Sequence, residues 1–81
     1  MNTKERIEYE TLKKVLETIE FQIKRIDSKI EIHYNNQILF YYLIGAKIEL
    51  IELRNDIEEN IAHYRKTIFI TKKYNNYEQT N

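Results

Sequence analysis

From residue 9 to residue 33 the apolar positions follow an unbroken heptad. Tyr9, Leu12, Leu16, Ile19, Ile23, Ile26, Ile30 and His33 are spaced 3, 4, 3, 4, 3, 4, 3. Only a helix brings residues at that spacing to one side, and a 3.5-residue repeat keeps the seam against a partner helix. Asn2, followed three residues later by Glu5, has the form of a capping box with Asn as the cap. The pattern predicts a first helix from about residue 3 to 34, roughly 48 Å long. Glu10 with Lys14 and Glu20 with Lys24 stand at i,i+4 on its solvated side, each pair worth about 0.2–0.5 kcal/mol.

The seam breaks at His33-Tyr34-Asn35-Asn36-Gln37. Extended past 33 it would take in Lys47 and Arg54. A different seam begins instead, through Leu39, Leu43, Ala46, Leu50, Leu53, Ile57, Ile61, Tyr64 and Ile68. Asn both tolerates the left-handed conformation that ends helices and caps the next one. The expectation is a tight turn at about 35–36 and a second helix over about 37–72. A turn at Gly45 and one continuous helix in an extended coiled coil are the competing arrangements. Residues 74–81, YNNYEQTN, are polar and are expected to be a disordered tail after the hairpin of residues 1–73.

The second helix carries a further apolar stripe, Phe40, Ile44, Ile48 and Ile51, spaced 4, 4, 3. Lys47, Arg54, Glu58 and Arg65 separate it from the seam on one side, and Glu49, Glu52, Asp56 and Glu59 on the other. One face packs on helix 1, leaving the stripe uncovered within the hairpin. Burying an Ile-sized or Phe-sized side chain is worth about 1.5–3 kcal/mol, so four exposed ones mark an interface. The fold expected is all-α: a two-helix antiparallel hairpin dimerising into a four-helix bundle, with Phe40, Ile44, Ile48 and Ile51 at the dimer interface. Whether the copies run parallel or antiparallel is open at this level.

Composition narrows the reading. The chain has 81 residues, one Gly, no Pro and no Cys, which fits long helices and excludes disulfide and thiolate–metal frameworks. Two helices enclose little core, so a partner or self-association is the natural remedy. Thirteen basic and thirteen acidic residues cancel, which argues against a protein whose main work is coating phosphates. The charged start, MNTKERIEYE, has no secretory character, and the apolar run Ile38 to Ala46 is far shorter than the ~20 residues of a membrane span. An intracellular protein, cytoplasmic in its host and without a membrane partner, is expected. Abundant Ile, Lys, Asn and Tyr, all with AT-rich codons, point to an AT-rich genome: that of a low-GC bacterium, its phage or plasmid, or an archaeal virus.

Candidate chemistry is sparse. Glu52, Asp56, Glu59 and His63 share a helix face, and a one-turn Glu–His pair suits a metal such as Zn²⁺. The bundle di-iron spacing Glu-x-x-His is absent, and carboxylates beside an apolar seam read as a solvated ridge. His33 and His63 fall at opposite ends of the hairpin. Thr11, Thr18 and Ser28 have no base and orienter at readable spacing, and one glycine forms no phosphate loop. The expectation is a non-enzyme with no cofactor and no metal. Phe21 and Ile32 lie off the first seam with Arg25 between them, and Phe21 beside Arg25 has the character of a binding hot spot. Tyr34, Tyr41 and Tyr42 gather at the turn end, while Tyr74 and Tyr77 sit in the tail.

Two readings follow. The first is an interaction module, an adaptor, inhibitor or regulator that binds an as yet unidentified partner protein through helix faces. The alternative is a nucleic-acid-binding regulator. The architecture is similar in topology to the Rop-type hairpin dimer, which binds paired RNA with one face of its bundle; no residue motif carries that similarity. It implies contacts from Lys24, Arg25 and Lys29, with Lys13, Lys14, Arg65, Lys66, Lys72 and Lys73 as further candidates. The size and shape are also similar to sporulation-type aspartyl-phosphate phosphatase hairpins. Their Ser-Gln-x-x-Asp signature has no counterpart here: the nearest stretch is Arg25-Ile26-Asp27-Ser28-Lys29.

Overall fold

The computed structural model describes the backbone of residues 2–80; the side chains of residues 68 and 71–80 lie outside the description. Two helices make up the described chain, α1 (Thr3–His33) and α2 (Gln37–Thr80). They form a rod of 67 × 17 × 14 Å. Tyr9 meets Tyr64 with ring centroids 6.2 Å apart, and Lys47 binds Asp27 at 2.6 Å. Residues early in α1 therefore face residues late in α2, and the pair is antiparallel.

Local chemistry sets the boundaries. The Asn2 side chain accepts from the Glu5 N–H at 2.8 Å, and its amide reaches the Glu5 carboxylate at 3.4 Å. The cap thus forms, with the return contact made by the amide of Asn2 rather than its backbone N–H. At the turn the Asn36 N–H donates to the His33 carbonyl at 3.0 Å. The Asn36 side chain then caps α2 by accepting from the Leu39 N–H at 3.1 Å. No described residue has positive φ, and Tyr34 closes α1 in a right-handed conformation. The turn is where the asparagines place it, but it works through capping, without the left-handed residue expected of them. Gly45 lies inside α2, so neither the turn there nor a single continuous helix is realised. α2 continues past 72 to Thr80, since no Gly or Pro interrupts it, so the backbone of 74–80 is helical where a disordered tail is expected; the side chains there and residue 81 lie outside the description.

All eight positions of the α1 heptad are buried or half-buried. The core is the quartet Ile19, Ile23, Ile57 and Ile61, flanked by Tyr9, Leu12, Leu16, Leu50 and Ile51. Leu43 adds a second buried point nearer the turn. The α2 seam departs from expectation. Leu53 is 48% exposed, whereas Arg54 is half-buried and so is Lys47. At about 100° per residue Arg54 points within ~20° of Leu43 and Ile61, and Leu53 falls ~80° away. The face turned to α1 is Leu43, Lys47, Leu50, Arg54, Ile57 and Ile61. Long aliphatic stems let Lys and Arg fill such positions while their heads reach outward. Lys47 does this by binding Asp27. Arg54 does it incompletely: one guanidinium nitrogen donates to Asn55 at 3.4 Å, and its Nε is buried without a partner.

Candidate interaction surface

Every helix of this length buries one side and offers the other, so function is sought in what the hairpin leaves uncovered. The predicted α2 stripe is graded in exposure. Phe40 and Ile44 are half-buried at the edge of the α1 contact, and Ile51 packs against the core quartet. Ile48 projects outward at 52% exposure. The stripe and the core therefore merge through Ile51, with Lys47 between them. Tyr41 extends the stripe toward the turn, its ring 5.8 Å from Phe40 in an edge-to-face arrangement.

A second surface gathers at the turn. Ile32, Tyr34, Ile38, Tyr41 and Tyr42 are each more than 60% exposed, and Ile38 reaches 84%. Tyr41, Tyr42, Gly45, Ala46 and Glu49 line an open groove of about 330 Å³ there. The tyrosines were visible as a cluster in the sequence. Ile38 was not singled out, although it belongs to neither the seam nor the stripe, and that double exclusion is the signal that it faces out.

Phe21 is 60% exposed, on the outer side of α1 with Arg25 and Ile32. Lys24, Arg25 and Lys29 are all exposed. They do not form one patch: Lys24 lies ~100° around the helix from Arg25 and ~140° from Lys29. Lys72 and Lys73 have side chains outside the description.

At the open end, the Tyr64 hydroxyl donates to Glu8 at 2.5 Å. That hydrogen bond, then the half-buried setting and the nearby charges of Glu8 and Glu5, raises the tyrosine above its ordinary value. Lys13 sits 5.3 Å from the Tyr9 ring centre, a cation–π contact. Ile7, Glu8, Thr11, Leu12 and Tyr64 border a groove of about 360 Å³. No group of three or more His, Cys, Asp or Glu able to hold a metal occurs among the described residues. The hydroxyls of Thr18 and Ser28 donate back to the Lys14 and Lys24 carbonyls at 3.1 and 3.2 Å. No described helix is long and apolar enough to cross a membrane. No protein-family model, curated protein or solved structure matches the chain.

Proposed function

We propose that this chain is a non-enzymatic helical-hairpin interaction module. It dimerises through the α2 stripe into a four-helix bundle and binds a partner protein at its turn end. One observation carries the reading: Ile32, Tyr34, Ile38 and Tyr42, large apolar or aromatic side chains around the turn and outside the α2 stripe, are left open to solvent. Large exposed apolar side chains gathered at one end mark sites of association, and Tyr suits such a surface, having a large apolar body and a polar tip. Phe21 with Arg25 supplies a subsidiary contact on the outer side of α1. An adaptor, inhibitor or regulator of phage, plasmid or viral type fits this character.

Capture from a cell extract tests the reading. A protein retained by the native chain and lost with Ile38→Asp and Tyr42→Asp, with helix content unchanged, supports it; no such protein counts against it. The nucleic-acid reading predicts instead a salt-sensitive shift of labelled RNA or DNA that Arg25→Ala and Lys29→Ala weaken.

A further inference from the structure

The outer side of α2 has a symmetry of its own. Taken in steps of 4, 3, 4, 3, 4, it reads Gln37, Tyr41, Ile44, Ile48, Ile51, Asn55. Reversed, the steps are the same and so is the order of character: an amide, four apolar residues, an amide. The six positions share one helical face, with Gln37, Tyr41, Ile48 and Asn55 exposed and Ile44 and Ile51 half-buried. We infer that the occupant of this face is a second copy of the chain, its α2 running antiparallel, with the two-fold axis at the level of residue 46. This rests on the interaction-module reading and fixes the register that reading leaves open.

In this register Ile44 meets the copy's Ile48, Tyr41 meets the copy's Ile51, and Gln37 meets the copy's Asn55. Each layer occurs twice. Apolar groups cover apolar groups, and the amides close the seam at either end by pairing with each other.

The position of α1 separates this arrangement from its rivals. The α2 face turned to α1 is centred ~120° around the helix from the stripe, and Asp27 marks the flank of α1 on the stripe's side because Lys47 binds it there. Antiparallel pairing about an axis across both α2 helices sets the two α1 helices on the same side of the α2 pair, toward its outer edges. Parallel pairing of the stripes throws the α1 helices to opposite sides and leaves the assembly open. Packing the stripe onto the copy's α1 sets it against Glu20, Lys24, Asp27 and Glu31, which line that flank at spacing 4, 3, 4, and so buries apolar groups against charge.

The charges fit the chosen register. Asp27 is level with Lys47, so the axis at the level of residue 46 also lies near the level of Asp27. Reversal about that point sets Lys24 of one chain level with Glu31 of the other, and Asp27 level with its own copy. Lys47 meets its own copy near the axis, where Asp27 from each chain already neutralises it. The net charge of zero leaves no long-range repulsion between copies.

The native chain contains no cysteine, which makes oxidative cross-linking a clean test. Ile44→Cys and Ile48→Cys are prepared separately, and native-like helix content is verified by circular dichroism. Light scattering gives the mass of the native chain. The expected result is a dimer mass, little disulfide-linked dimer from either variant alone, and efficient linkage when the two are mixed. Self-linkage of Ile44→Cys or of Ile48→Cys would show parallel stripes and overturn the inference. A dimer mass with no linkage in the mixture would place the interface on another face, overturning the register but leaving the interaction module standing. A monomer mass would overturn both the register and the self-association, leaving partner capture at the turn end as the remaining part of the functional reading.

Discussion

Gly45 and Tyr64 show what single residues decide here. Gly45 sits inside α2, and a Cβ built on it meets nothing within 4 Å. Glycine in a helix interior costs about 0.5–1 kcal/mol relative to alanine, so Gly45→Ala is expected to stabilise the hairpin. For a chain of this size that corresponds to a rise of about 4–8 °C in Tm per kcal/mol. A fall in Tm would reveal that another chain occupies the space beside Gly45. Tyr64 carries the clearest pH signature. Its ionisation is raised from the ordinary 10.0 because Glu8 accepts its proton in a hydrogen bond. A group whose folded-state value is raised contributes stability that is full below the unfolded value, about 10, and is lost as pH rises through the folded one. Absorbance titration of the native chain against Tyr64→Phe is expected to assign a late tyrosinate to Tyr64, and Glu8→Gln is expected to bring it earlier. A native chain in which no phenol titrates late would remove the hydrogen bond from the account.

The two helices differ in how openly the sequence declares them. α1 was legible in full because its eight seam positions are all apolar or aromatic, and each lies where the heptad puts it. In α2 the same rule misplaced Leu53 and overlooked Arg54. An ideal helix drifts ~20° per heptad against a strict 3.5 repeat, and following only apolar residues lets the seam drift with it. The true contact face holds its angle by accepting two basic side chains, which hydrophobic patterning counts as outside. The turn was readable from Asn35-Asn36, although the two asparagines are not equivalent. Asn36 alone caps α2 with its side chain. Asn36→Ala is expected to cost about 0.5–2 kcal/mol, as lost caps do, against little effect from Asn35→Ala. Urea denaturation of the two variants measures the difference, and equal losses would contradict the assignment. The turn-end surface was only half legible: aromatic clustering is visible in a sequence, but exposure depends on which neighbours the fold supplies.

At the scale of the whole molecule, no described side chain is shielded below 2% exposure. A hairpin has only one internal face, and its stability leans on whatever covers the other. The native chain is therefore expected to melt at a temperature that rises with protein concentration, as linked association requires. Ile48→Glu, which places a charge in the middle of the stripe, is expected to abolish that dependence. A concentration-dependent melt unchanged by Ile48→Glu would move the interface elsewhere.

The core quartet also lies well away from the turn: Ile23 and Ile57 are brought together across the loop that contains it. Loop closure becomes costlier only slowly with length, about 0.6 kcal/mol per doubling. Closing the loop from Ile23 to Ile57 instead of the bend alone therefore costs about 2 kcal/mol more, which burial of the four isoleucines, at about 1.5–3 kcal/mol each, offsets. The two arms are therefore expected to meet first at mid-rod, with the bend drawn tight afterwards. Truncating Ile23 or Ile57 then slows refolding, whereas weakening the cap at Asn36 chiefly hastens unfolding. The turn end, where Ile32, Tyr34, Ile38 and Tyr42 stay exposed, is then expected to be the last part of the hairpin to become ordered and the first to loosen.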